Sequence, residues 1–222
     1  MIQGCVVIVF AKAPTPGRVK TRLAAAIGEE AAASLAARML DETLKQAVAS
    51  GLGPVELCCD PDSAHPAFQQ ARERHGVVLT RQSQGDLGLR MKVALDCALH
   101  SYRCALLIGT DCPQLDAGHL RAAADMLSER PAAFIPTLDG GYVLVGLSAM
   151  IPEIFEGIDW STERVMRQTQ SQLDRLGRIA GMLAPLADVD EPKDLGLVPE
   201  EWLEGSGMPA NRTTHPDSGI DR

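Results

Sequence analysis

The chain has 222 residues, 45% hydrophobic and 23% charged, with a formal net charge of −8. That length suits one α/β domain with a covered sheet, and the composition is that of an ordinary globular protein. The negative balance excludes a molecule built as a whole to embrace nucleic acid or an anionic membrane surface.

The six cysteines, Cys5, Cys58, Cys59, Cys97, Cys104 and Cys112, include no Cys-x-x-Cys pair. They read as buried free thiols in a reducing compartment, without a zinc site or a disulfide framework. Residues 5–11 are apolar but too few for a span, have no basic residue before them, and are followed by Lys12. They form neither a signal peptide nor a membrane segment, and no later run is long enough for one. A cytoplasmic protein is the expectation.

Residues 4–10, GCVVIVF, are continuous and β-branched, which predicts a buried first strand. A cationic loop follows, AKAPTPGRVKTRL over 11–23, carrying Lys12, Arg18, Lys20 and Arg22 around Gly17. Residues 1–28 hold no acid at all. A helix is predicted to start near Arg18, and cations at a helix start are electrostatically misplaced unless an anion visits, so phosphate is the natural guest. The alternative is a solvated basic turn. A Walker A loop is excluded, because Gly17-Arg-Val-Lys-Thr21 lacks the leading glycine and the Gly-Lys-Thr adjacency. A dinucleotide-binding Rossmann fingerprint is missing too.

Residues 29–50 predict an amphipathic helix with acids at its start, ended by Gly51 and Gly53-Pro54. Strands are predicted at 55–59 and 77–80, with a helix at 64–75 between them. The segment QSQGDLGLRM, 82–91, places Gly85 and Asp86 before a helix and Arg90 on its first turn. Asp86 is either a plain cap or part of a pocket wall. That helix runs to about 101. The histidines His65, His75, His100 and His119 lack metal-ligand spacing and read as packing or surface groups.

The stretch CALLIGTDCPQL, 104–115, is the centre of the pattern. Four apolar residues, 105–108, suit a parallel strand covered on both faces. Asp111 then stands where that strand leaves the sheet, the edge at which open α/β sheets bind ligands; the plainer alternative is a turn before Pro113. Asp116 can cap a helix over 117–130. A strand at 132–136, then Asp139-Gly140-Gly141, then an apolar run over 142–146 make either a simple hairpin or a place where backbone and Asp139 approach a ligand together. Trp160 reads as a packing residue, with Ser161 or Thr162 as the cap of a further helix. Asp188 and Asp190 share one face of an extended segment, Pro192 begins a short helix, and 204–222 has the composition of a disordered tail. Strand and helix alternate, so the fold class is α/β with a mostly parallel central sheet and helices on both faces.

Lys12-Ala-Pro-Thr-Pro-Gly17 with Lys20-Thr-Arg-Leu23, Gly85-Asp-Leu-Gly-Leu-Arg-Met91, Ile108-Gly-Thr-Asp-Cys-Pro113, Asp139-Gly-Gly-Tyr142, Trp160-Ser-Thr162 and Asp188-Val-Asp-Glu-Pro-Lys-Asp-Leu195 together carry a resemblance. The chain resembles a bacterial GT-A-like transferase family associated with arsenosugar biosynthesis and radical SAM genes. That family is similar in turn to phospholactate guanylyltransferases and molybdopterin-cofactor nucleotidyltransferases. The resemblance implies a single GT-A domain, the nucleotide-diphospho-sugar transferase fold, over 1–203. It implies Mg²⁺ or Mn²⁺ at Asp111 and Asp190, and phosphates held by Lys12, Gly17, Arg18, Lys20 and Arg22. Gly85, Asp86 and Arg90 would lie near the nucleotide, and Asp139, Gly140 and Gly141 near the acceptor. Two departures stand out: the loop is proline-rich with a single glycine, and the metal motif keeps only Thr-Asp.

The expected activity is glycosyl transfer from a nucleotide-diphospho-sugar to a small-molecule acceptor, with Lys20, Asp111 and Asp139 as catalytic groups. Nucleotidyl transfer from a nucleoside triphosphate is the alternative, since it uses the same residues. A non-catalytic nucleotide-binding module is a third possibility, and a cysteine hydrolase using Cys112 and His119 a fourth. Neither nucleic acid nor a membrane is an expected partner.

Overall fold

The protein is described by a computed structural model over residues 3–203. Within them the chain runs β1 (Gln3–Lys12), α1 (Thr21–Ile27), α2 (Glu29–Ala49), β2 (Val55–Asp60), α3 (Pro66–His75), β3 (Val78–Arg81), α4 (Leu87–Leu99) and β4 (Tyr102–Ile108). It continues through α5 (Ala117–Met126), β5 (Ala132–Pro136), β6 (Tyr142–Leu147), α6 (Val165–Arg175), β7 (Gly181–Met182) and α7 (Glu200–Leu203). The predicted tail at 204–222 lies outside the described residues.

The strands form one sheet in the order β3-β2-β1-β4-β6-β5-β7. β6 alone is antiparallel to its neighbours, β4 and β5. The reason is connection length: five residues join β5 to β6, too few for a parallel crossover, which needs about a dozen. The sheet is otherwise parallel, as the alternation of predicted strands and helices implies.

β1 shows how the layers form. Val7, Val9 and Ala11 pack with α2, α3 and α5 through Leu40, Leu44, Phe68, Leu120 and Ala123. Val6, Ile8 and Phe10 pack on the other side with Met91, Leu95 and Ala98 of α4 and Leu173 of α6. Both faces of the strand are thus covered, so its sequence is an unbroken apolar run without polar alternation. A third cluster joins Leu23 of α1, Leu35 and Met39 of α2, and Val189 and Val198 of the C-terminal segment. It pins that segment against the start of the domain.

Four local expectations change. The first helix starts at Thr21 rather than near Arg18, because Arg18 N–H bonds back to the Thr15 carbonyl at 3.0 Å and closes a turn first. α5 stops at Met126, and the next residues make tighter turn bonds, such as Leu127 N–H to the Ala124 carbonyl. The cap of α6 is Arg164; Ser161 is in the left-handed region at φ 63°, and the Thr162 hydroxyl accepts from Arg164 N–H at 3.3 Å. Cys97 is exposed and Cys104 only half-buried, while the other four thiols are buried, and all six are free. β7 carries no sequence signal because two residues cannot show a period.

Candidate active site

The site grows from the end of β4. Asp111 stands three residues beyond Ile108, and its backbone carbonyl accepts from Val189 N–H at 2.8 Å. Val189 is fully buried, so in an extended segment its neighbours Asp188 and Asp190 point the other way. This alternation delivers two more carboxylates beside Asp111.

Lys20 faces them. It is a non-glycine residue with φ 48° and ψ 42°, the position just before α1, and its side chain is only 6% exposed. That backbone costs about 1 kcal/mol and persists where surrounding contacts over-determine it. The contacts are a donated bond from Nζ to Asp111 Oδ1 and another to the Val189 carbonyl at 2.7 Å. Arg22, the second residue of α1, donates to Asp190 Oδ2 at 2.7 Å. The predicted phosphate cations and the predicted metal carboxylates therefore meet as two ion pairs. Lys12, Arg18 and Arg22 are exposed. Gly17 has φ 72°, and a Cβ there would come 3.0 Å from the Glu29 carboxylate, so the loop folds onto the start of α2.

Asp188 gathers the electrostatics of the region. Burial raises its pKa, and the nearby carboxylates of Asp139, Asp111 and Asp190 raise it further. Among the described residues no three carboxylate, imidazole or thiol groups converge closely enough to hold an ion unaided. Hard oxygen donors gathered but not closed into a cage fit Mg²⁺ or Mn²⁺, which takes one or two carboxylates and completes its shell with water and substrate phosphate.

Asp139 comes from the β5–β6 hairpin. Thr137 N–H bonds to the Gly141 carbonyl at 3.0 Å, so the turn reading holds. The carboxylate of Asp139 accepts from the Thr137 hydroxyl and from Gly141 N–H at 3.1 Å, leaving it exposed and oriented. Gly140, at φ 93°, is required by a close approach: a Cβ would lie 2.1 Å from the Glu163 carbonyl, and the Gly140 carbonyl accepts from Met166 N–H at 2.8 Å. Tyr142 serves packing, edge-on to Phe134 at 5.3 Å, and burial raises its hydroxyl pKa.

Gly85, Asp86 and Arg90 lie at the start of α4, beside the ends of β2 and β3. Asp86 caps α4, its carboxylate accepting from Leu89 N–H at 2.8 Å. Arg90 braces the loop through Nε to the Gly85 carbonyl at 2.9 Å, and through Nη1 to Gln82 and to Asp60, both at 3.4 Å. Gln82 in turn donates to the Cys58 carbonyl at 3.0 Å. Gly88 lies flat on the Trp160 indole, where a Cβ would be 2.4 Å from Nε1. Trp160 stacks on Phe155 at 6.5 Å, so the packing reading of that residue holds.

Residues the sequence did not single out are Gln82, Asp60, Thr137 and the Val189 carbonyl. Only Val189 left a trace, as the apolar residue between two aspartates. The histidines among the described residues are structural: His65 caps α3, His75 pairs with Asp41 at 2.8 Å, His100 bonds to the Asp96 carbonyl, and His119 shares a capping box with Asp116. Cys112 is buried, which pushes its thiol up to about 11, and His119 is engaged elsewhere. A buried, protonated thiol without a free histidine beside it is a poor nucleophile, which weighs against the cysteine-hydrolase alternative.

Residues 43–162 match the family described as uncharacterized protein conserved in bacteria (DUF2064). The chain belongs to that family. No curated protein matches it. It is similar to a solved protein of Desulfovibrio desulfuricans G20, a proposed nucleotide-diphospho-sugar transferase, at 29% identity over 86% of this chain and 84% of that one, with a TM-score of 0.78. A nucleotidyl transferase from Methanothermobacter shares the fold at 12% identity and a TM-score of 0.64, covering 90% of this chain and 98% of that one. A Mycobacterium tuberculosis H37Rv protein solved with manganese shares it at 18% identity and a TM-score of 0.52, covering 92% and 100%. The fold of this DUF2064 chain is thus that of the nucleotide-diphospho-sugar transferases, as its motifs implied.

Proposed function

We propose that this chain is a metal-assisted transferase that takes a nucleotide-diphospho-sugar as donor and passes the sugar to a small-molecule hydroxyl. The arsenosugar-type glycosyl transfer that the motifs resemble is the narrower form of this reading. The observation that carries it is the meeting of Lys20 and Arg22 with Asp111 and Asp190 at the edge where β1 and β4 end.

In this reading Lys12, Arg18 and Arg22 bind the diphosphate, and Lys20 offsets charge on its leaving end. Asp111 and Asp190 would hold the divalent ion, which when bound supplies Lewis-acid stabilisation of the departing diphosphate. Asp139 orients the acceptor hydroxyl and takes its proton as the new bond to the sugar carbon forms and the bond to the diphosphate oxygen breaks. Gly85, Asp86 and Arg90 shape the wall beside the nucleotide. Among the described residues no helix is long and apolar enough to cross a membrane. The free thiols favour work in a reducing cytoplasm.

Nucleotidyl transfer is the second reading, favoured by the fold shared with the Methanothermobacter nucleotidyl transferase. The test is a thermal-shift panel with Mg²⁺ or Mn²⁺, followed by product analysis. A nucleotide-sugar at a hundredfold excess over its Kd should stabilise the protein by about 2.7 kcal/mol. Release of a nucleoside diphosphate then supports glycosyl transfer, and pyrophosphate from a triphosphate supports nucleotidyl transfer. Binding without turnover reduces the chain to a binding module, and no midpoint shift with any nucleotide sinks the donor site.

A further inference from the structure

A groove of about 530 Å³ lies between the β5–β6 hairpin, which carries Asp139, and α6. We propose that it is the acceptor subsite and that it takes a neutral, hydroxyl-rich molecule, a polyol or sugar. This rests on the transferase reading for its role and on its own residues for its chemistry.

The volume falls within the range of small-molecule sites, about 300–1,000 Å³. One wall is a single stripe reaching from just before α6 along the helix: Glu163, Arg167, Gln170 and Asp174, at the three- and four-residue spacings that align side chains. All four end in planar polar groups able to bond two neighbouring hydroxyls at once. Neither the Glu163 carboxylate nor the Arg167 guanidinium has an ion pair or hydrogen bond within the described residues, and Asp174 accepts from Gln170 Nε2 at 2.8 Å. Met166 and Met182 add an apolar surface for the carbon–hydrogen face of a ring.

Charge decides the class. Two acids, Glu163 and Asp174, against one base, Arg167, leave the stripe with a net charge of −1, opposite in sign to the cationic loop. A phosphate or carboxylate head group would be repelled on balance, whereas hydroxyls accept bonds from the guanidinium and amide and donate to the carboxylates. The opposite wall is Thr137 and Gly140. Thr137 is the residue whose hydroxyl orients Asp139, so the candidate base is tied directly to the groove wall. The bond from Met166 N–H to the Gly140 carbonyl fixes the two walls together, so the groove is already shaped before a ligand enters.

The experiment uses methyl-labelled methionine, since two of the eight methionines line the groove. Glucose, ribitol and myo-inositol are titrated alongside glucose 6-phosphate and inositol phosphate. The expected result is a saturable movement of the Met166 and Met182 signals with at least one neutral probe, while Met39 and Met91 stay still. Arg167→Ala with Gln170→Ala should weaken that response about tenfold, the loss of one or two hydrogen bonds. The double variant should keep the wild-type midpoint shift with nucleotide. If no neutral probe moves Met166 and Met182, if the phosphorylated probes bind more tightly, or if a nucleotide moves those two signals, the proposal fails. Polyol binding in a protein that no nucleotide stabilises would uphold the groove as a sugar site while removing the transferase reading.

Discussion

The two sides of the sheet's carboxyl edge are held in different ways. On the β1–β4 side, charges do the holding: Lys20 to Asp111, Arg22 to Asp190 and Arg90 to Asp60. On the β5–β6 side, backbone packing does it: Gly140 against Glu163, Gly141 under Asp139, and Gly181 against Met126, where a Cβ would be 2.6 Å from sulfur. Internal ion pairs can be exchanged for ligand charges at modest cost, because each group keeps a partner of opposite sign. Such close glycine packing cannot be exchanged for a ligand charge, so the hairpin side offers a rigid wall and unpaired polar side chains. A site that must accept and release a charged donor while positioning an acceptor benefits from this division.

Substitutions can break the contrast. Asp111→Asn should leave the fold intact, because the residue is exposed, while lowering turnover on the order of a thousandfold through loss of transition-state charge stabilisation. Steady-state kinetics with a far-ultraviolet dichroism control would check it, and a small effect would displace Asp111 from the centre of the site. Gly140→Ala works in the opposite sense. Both its φ of 93° and the 2.1 Å approach to the Glu163 carbonyl forbid a Cβ, so denaturant unfolding should show a loss of about 3 kcal/mol. Stability near wild type would mean that the hairpin side is not rigid. Gly88→Ala presses on the Trp160 side chain, which can yield, and about 1–2 kcal/mol is expected, with a change in indole fluorescence.

The smallest effect belongs to a pair remote from both sides. Burial raises the pKa of Asp41, but hydrogen bonds and charge from His75 and Arg74 outweigh it and leave the net shift downward. A depressed carboxylate adds stability at neutral pH that is lost as pH falls through the ordinary aspartate range. The pair is partly exposed, so solvent screening keeps this below about 1 kcal/mol. Asp41→Asn should flatten that part of an acid-unfolding curve and leave turnover unchanged. A turnover change would couple α2 to the site.

Some of this was legible along the chain. The run 105–108 ended in a carboxylate at a sheet edge, because a strand covered on both faces must be apolar and must emerge somewhere. The cationic loop, the Asp86 cap and the Asp139 turn were local patterns of charge and glycine, visible because they are made by neighbours in sequence. The cap of α6 misled, because Ser161 favours a cap by type yet adopts a left-handed backbone, and Arg164 takes the cap position instead.

What the amino-acid order determined by itself is the layer pattern and the inventory of charged groups, since periodicity and composition are short-range properties. What the tertiary structure decided is pairing: that Lys20 meets Asp111 ninety-one residues away, that Val189 turns inward so its flanking aspartates turn toward the site, and that a stripe of α6 closes a groove against the hairpin. Such pairings follow from which faces pack together, and packing brings together residues that share no pattern along the chain.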